Sequence, residues 1–98
     1  MDTKHLDQYI ADRFYKERVV RRFTQDDVAR MLTSKLSATT KTKVARTTYA
    51  CYEHVDRSMP QEIFKALCDI FEIDDVALFK EAQQFMLDCY VRESKGSK

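Results

Sequence analysis

The chain has 98 residues, of which 44% are hydrophobic and 34% are charged, and this composition predicts one soluble globular domain. A single glycine and a single proline are too few for the turns of an all-β protein, so an all-α fold is predicted. Phosphate-binding loops and dinucleotide-binding fingerprints need two or three glycines within about eight residues, and the lone Gly96 excludes both classes of enzyme.

The charge of the chain is unevenly distributed, although its formal net charge is only +1. Residues 1–50 carry 11 Lys and Arg against 6 Asp and Glu, whereas residues 51–98 carry 6 against 10. Residues 33–50 include four basic side chains and no acidic one. This asymmetry predicts a positive face that binds a polyanion, and the alternative is solvated surface charge without a partner.

Two amphipathic helices are predicted in the first third of the chain. The first extends from about residue 3 to about residue 20, and the second follows Thr24, an N-cap with Asp27 in the capping-box position. The apolar residues at helical spacing are Leu6, Ile10 and Phe14 in the first helix and Val28, Ala29 and Leu32 in the second. These stripes are predicted to face a common core.

Residues 33–48 contain eight Ser and Thr and four Lys and Arg. Hydroxyl side chains compete with helical hydrogen bonding, so the first part of this segment is predicted to be an exposed connection. A helical pattern returns at about Val44, with Val44, Thr48, Tyr52 and Val55 on one side and Tyr49 as a second inward position.

Two further helices are predicted in the second half. Ser58 or Met59 opens the fourth, with Pro60 in its first turn, and Asp74 caps the fifth, which covers about residues 75–92. The apolar face of the fourth helix consists of Ile63, Phe64, Leu67, Cys68 and Phe71. The fifth has two adjacent stripes, more than one small core usually buries. They consist of Val76, Phe79, Gln83, Met86 and Tyr90, and of Leu78, Ala82, Phe85 and Cys89.

The three cysteines predict a reduced, cytoplasmic protein, since they form no CxxC pair and no signal-peptide pattern precedes them. No apolar run is long enough to span a membrane. Cys51 and His54 lie one helical turn apart, with Cys68 or Asp56 as further candidate ligands, but no second ligand pair has the usual spacing. Core thiols are therefore expected, with no metal and no cofactor. We also expect no enzyme, because no set of nucleophile, base and oxyanion donors is recognisable.

Three segments, in this order, resemble the Cro/C1-type (Xre-like) helix-turn-helix domain of phage repressors and related bacterial regulators. Residues 23–32, FTQDDVARML, are similar to the family segment LTQEELAxxL, and residues 44–53, VARTTYACYE, to its recognition helix VSRSTISRIE. Leu67, Cys68 and residues 71–79 resemble the family's IAKALGVSLDELF. The resemblance covers about residues 10–80. It implies a compact five-helix, lambda-repressor-like domain over residues 1–93, with the helix-turn-helix at about 24–55, an extended C-terminal helix and a disordered tail at 94–98.

The resemblance also implies a sequence-specific, repressor-like transcriptional regulator that binds double-stranded DNA. Its recognition helix, at about residues 44–55, would enter the major groove, where an arginine pairs with guanine for about 1–3 kcal/mol of discrimination. Base contacts are assigned to Gln25, Arg46, Thr47 and Ala50. Phosphate contacts are assigned to Arg22, Lys35, Lys41, Lys43, Thr48 and Arg57.

The chain departs from the family pattern at several positions. Residues 33–43 look like an insertion of roughly ten residues between the two motif helices. Ala45 stands where the family has a capping Ser or Thr, so an earlier start capped by Thr40 or Thr42 is expected for the third helix. Arg22 and Val55 occupy positions where the family commonly has glycine.

The residues of the C-terminal helix allow two interpretations. They either fold back on their own core or pair with a second copy, which would place two recognition helices about 34 Å apart, one turn of DNA. The dimer interface would consist of Phe79, Phe85, Met86 and Tyr90. An alternative to DNA binding is a helix-turn-helix scaffold that acts through protein binding, such as a phage antirepressor, an anti-CRISPR factor or an antitoxin.

Overall fold

A computed structural model of the protein describes residues 4–37 and 43–96, and within these ranges the regular elements are five α-helices without a β-strand. The helices are α1 (Lys4–Val20), α2 (Gln25–Leu36), α3 (Arg46–Glu53), α4 (Gln61–Ile70) and α5 (Asp75–Gly96). The predicted all-α class is therefore confirmed. In these segments, no helix combines the length and the apolar character needed to cross a bilayer.

All five helices contribute to one hydrophobic core. Phe14 of α1 lies at its centre, with its ring centroid 5.9 Å from that of Phe64 and 6.0 Å from that of Phe71. The other large side chains that are almost fully buried are Val28, Leu32, Tyr49, Leu67, Cys68 and Leu78. The inward stripes predicted for the first, second and fourth helices are thus the ones that pack, because helical spacing places their residues on one face.

Helices α1 and α5 lie antiparallel along each other. His5, near the start of α1, is 2.8 Å from Glu93 near the end of α5. Arg13, further along α1, is 3.6 Å from Glu81, which lies closer to the start of α5. Only the first part of α5, through Leu78 and Ala82, enters the core. The helix continues to Gly96, so residues 94–96, assigned to a tail from the sequence, extend α5, while residues 97 and 98 lie outside the described ranges.

Side-chain caps form at the predicted starts of α2 and α5. Thr24 Oγ1 accepts a hydrogen bond from the Asp27 amide at 3.1 Å, and Asp27 Oδ2 accepts one from the Thr24 amide at 2.8 Å. Asp74 Oδ1 accepts from the amides of Val76 and Ala77 at the start of α5. Each cap satisfies amides that have no partner within the helix and stabilises it by about 1 kcal/mol.

The expected early start of the third helix is wrong. Ala45 is the N-cap, with extended backbone and no capping side chain, and α3 begins at Arg46. The physical reason is Thr33, whose Oγ1 accepts a hydrogen bond from the Val44 amide at 2.9 Å. This bond and its burial in the core hold Val44 in place ahead of the helix. Val44 therefore does not belong to the predicted helical stripe. The proposed caps, Thr40 and Thr42, fall outside the described residues.

The start of the fourth helix also differs from expectation. Pro60 is the N-cap rather than a residue of the first turn, and α4 begins at Gln61. A proline disfavours helical backbone in the residue before it, which prevents Met59 from opening the helix.

Three helices end in the same backbone conformation without a glycine. Arg22, Val55 and Glu72, which follow α1, α3 and α4, have positive φ angles of 59°, 58° and 56°. At each end the amide of the next residue bonds the carbonyl five residues earlier, the pattern of the Schellman motif. Arg22 and Val55 are the two positions where the resembled family commonly has glycine, and here they adopt the conformation that glycine favours.

Candidate nucleic-acid interface

Helix α3 is short and has two distinct sides. Tyr49 and Tyr52 are buried in the core, whereas Arg46 and Thr47 in its first turn are exposed. Thr48 and Ala50 are half-buried at the border between the two sides. The first turn contains no acidic residue. Two predicted base-contacting residues therefore project from the start of α3 into solvent, and a third, Ala50, lies one turn further along.

The end of α3 is fixed by a buried ion pair. Arg18 of α1 contacts Glu53 through Nε and Nη2, at 2.6 Å and 3.1 Å from the two carboxylate oxygens. The side chains of Arg18 and Glu53 are only 13% and 4% exposed. Arg18 Nη1 also donates to the Phe23 carbonyl at 2.9 Å, which joins the α1–α2 turn to the same cluster. The pair therefore sets the position of α3 relative to the rest of the domain.

This environment shifts the pKa of Glu53. Burial alone would raise it, but the ion pair with Arg18 and the hydrogen bond from Gln25 outweigh burial, so the Glu53 pKa lies below its ordinary value. Burial, with Glu53 next to it, raises the pKa of Tyr49.

Gln25 belongs to this cluster rather than standing free. Its Nε2 donates to Glu53 Oε1 at 3.1 Å, and the residue is half-buried. The sequence assigned Gln25 to base contacts, and the structure places it against the C-terminal end of α3. The sequence did not indicate the cluster of Arg18, Gln25 and Glu53, because Glu53 lies 28 residues from Gln25 and 35 residues from Arg18, and no periodicity marks such separations.

The basic side chains of α1, of α2 and of the segments around α3 divide into two groups. In α1 and α2, Arg and Lys side chains lie within ion-pair distance of an Asp or a Glu; these are Arg13, Lys16, Arg18, Arg21, Arg30 and Lys35. The exposed cations around α3 differ. Lys43 and Arg46 precede or open the helix, Arg57 follows it, and Arg22 lies in the turn before α2. Within residues 4–37 and 43–96, none of these four forms an ion pair.

The remaining predicted phosphate contacts are placed differently. Lys35 Nζ is 3.9 Å from Asp69 of α4, so its charge is partly offset. Lys41 lies outside the described residues. Within the described ranges, cations without an ion pair thus lie at the ends of α3 and in the turn before α2, and also on α4 (Lys65) and on α5 (Lys80 and Arg92).

Three of the four residues proposed for a dimer interface contact their own chain. The Phe85 ring lies 5.1 Å from that of Tyr9, and the Tyr90 ring lies edge-on to His5 at 5.6 Å. Met86 is half-buried against the core. Phe79 remains 42% exposed, and three other apolar side chains of α5, Val76, Leu87 and Val91, are also exposed.

The candidate metal ligands do not converge. Cys51 is half-buried, His54 is exposed and Cys68 is in the core. Burial, with the charges of Asp75 and Asp69, raises the pKa of Cys68 to about 11, so this thiol stays protonated at neutral pH. No group of three His, Cys, Asp or Glu side chains in the described segments is arranged to hold a metal ion.

Comparisons of the chain with protein-family models, with curated proteins and with solved structures found no match. The Cro/C1 resemblance therefore stays a prediction from the sequence.

Proposed function

We propose that the protein is a sequence-specific, double-stranded DNA-binding transcriptional regulator of the repressor type, with a Cro/C1-like helix-turn-helix formed by α2 and α3. The observation that supports this best is the exposed first turn of α3, where Arg46 and Thr47 project into solvent without an acidic residue among them. An α-helix fits the major groove of B-DNA, and residues of its first turns reach the base edges.

In this proposal the residues around α3 have separate roles. Arg46 pairs with the O6 and N7 atoms of a guanine, Thr47 bonds a base edge or a phosphate, and Ala50 contacts a thymine methyl group. Phosphate contacts come from Arg22, Lys43, Thr48 and Arg57. These contacts are blind to sequence and weaken with salt, because each neutralised phosphate releases counterions.

A two-fold dimer in the cytoplasm is part of the same proposal. One recognition helix covers only a few base pairs, and a second copy doubles the site. The exposed apolar side chains of α5 outside the groove lined by Phe79, namely Leu87 and Val91, support its role as the contact between copies. Sedimentation equilibrium tests this contact. Leu87→Lys should convert the dimer to a monomer, and a monomeric wild-type protein would remove the dimer from the proposal.

Selection from a pool of random duplexes, followed by mobility-shift titration of the selected site, tests the DNA-binding function. We expect retention against competitor DNA and a loss of affinity of at least about tenfold between about 50 and 200 mM salt. Arg46→Ala should remove sequence preference. The matched control is Arg92→Ala, an exposed cation near the far end of α5. An unenriched pool, or unchanged preference in Arg46→Ala, would contradict the proposal and favour a protein-binding scaffold.

A further inference from the structure

A groove lies on the domain where the first turns of α1, the end of α3, the start of α4 and the first turns of α5 meet. Its volume is about 580 Å³, within the range of pockets that enclose small organic molecules. The apolar side chains that line it include Leu6, Ile10, Tyr52, Phe64, Val76 and Phe79. Val76 and Phe79 are 56% and 42% exposed. A ligand in the groove would cover this exposed apolar surface.

Positively charged side chains from three different elements border this apolar floor. Arg57 comes from the α3–α4 connection, Lys65 from α4 and Lys80 from α5. Across the described residues these three form no ion pair, unlike the cations of α1 and α2. Two carboxylates, Asp7 and Asp75, also border the groove, which leaves an excess of one positive charge.

We propose that this groove binds a small amphipathic anion, an apolar chain that ends in a carboxylate. The chain would cover Val76 and Phe79, and the carboxylate would pair with Lys80 and its neighbours at the border. Burial of apolar surface supplies the driving force, and unpaired cations at a partly enclosed border favour a carboxylate over an ammonium group. The inference goes beyond DNA binding and does not depend on it: Arg57 borders the groove and is also a proposed phosphate contact, but Lys80 and Phe79 belong to α5 and have no part in the proposed DNA contacts.

Calorimetric titration with decanoate below its micellar concentration tests the proposal. We expect saturable binding with one site per chain, and at least about tenfold weaker binding of decyltrimethylammonium, which has the same tail and the opposite charge. Equal binding of the two amphiphiles, or no saturable binding of decanoate, would overturn the proposal.

Two variants locate the site. Lys80→Glu should weaken decanoate binding at least about fivefold, while Arg92→Glu, the same charge change on the exposed surface of the same helix, should leave it within about twofold. Gln83→Trp should fill the groove and abolish binding. Thermal unfolding of each variant establishes that it is folded, and chemical-shift mapping of wild-type protein with decanoate gives an independent reading. Shifts confined to residues outside the groove would overturn the assignment, as would a concentration-dependent dimer that Gln83→Trp abolishes.

Discussion

Arg18 and Glu53, 35 residues apart in the chain, form a two-point ion pair that joins the last turn of α1 to the last residue of α3. The contact matters because α3 has only eight residues and is held otherwise by two buried tyrosines. Its orientation decides where Arg46 and Thr47 point. A buried pair that holds α3 in place therefore connects the stability of the domain to the proposed function.

Removal of one member of this pair should destabilise the domain. Glu53→Gln leaves the Arg18 guanidinium buried without its counter-charge, and we expect a loss of about 3 kcal/mol in the free energy of unfolding. Urea denaturation followed by circular dichroism measures it. The control is Arg30→Gln, which breaks an exposed pair with Asp26 and should cost less than about 1 kcal/mol. Equal losses in the two variants would show that the Arg18–Glu53 pair has no special weight.

The lowered pKa of Glu53 predicts that the free energy of unfolding depends on pH. Because the folded-state pKa of Glu53 lies below its ordinary value, its ionised form adds stability that is fully present above the unfolded-state pKa. This contribution is lost as the pH falls through the folded-state pKa. The difference in unfolding free energy between wild type and Glu53→Gln should therefore shrink between about pH 6 and pH 3. A difference that stays constant or grows over this interval would contradict the assigned shift.

The end of α4 should become more stable with a glycine. Glu72 is exposed and has a φ of 56°, a conformation that is unfavourable for any residue with a Cβ atom. Glu72→Gly is expected to raise the free energy of unfolding by about 1 kcal/mol. Glu72→Ala is the matched control, since it removes the charge and retains the Cβ. Thermal denaturation compares them, and an equal gain in the two variants would point to the lost charge rather than to backbone conformation.

The hydrogen bond from the Val44 amide to Thr33 should control the segment that precedes α3. Thr33→Val removes the acceptor and leaves a buried amide without a partner, at a cost of about 1–3 kcal/mol. We expect faster hydrogen exchange at the Val44 amide and weaker binding to the selected DNA site. Thr33→Ser retains the hydroxyl and should preserve slow exchange. Unchanged exchange in Thr33→Val would mean that core packing of Val44 alone holds the segment.

Local features of the fold could be read from the sequence because their physical causes are local. The capping box of Thr24 and Asp27 and the cap at Asp74 involve residues two or three positions apart, and they start α2 and α5 where predicted. The inward stripe of α1 follows from helical spacing in the same way. The shortage of glycine and proline was sufficient to predict an all-α protein.

Contacts between distant segments were decided by the tertiary structure. The Thr33 hydrogen bond places the start of α3 at Arg46, and α1 packs against Phe85 and Tyr90, one from each predicted stripe of α5. The Arg18–Glu53 pair and the groove likewise unite residues from several helices. Such contacts depend on how helices cross in three dimensions, and the separation of 35 positions between Arg18 and Glu53 leaves no periodic pattern in the sequence. The sequence by itself determined which residues form helices and which of their faces are apolar; the packing of those faces decided which side chains remain free to bind.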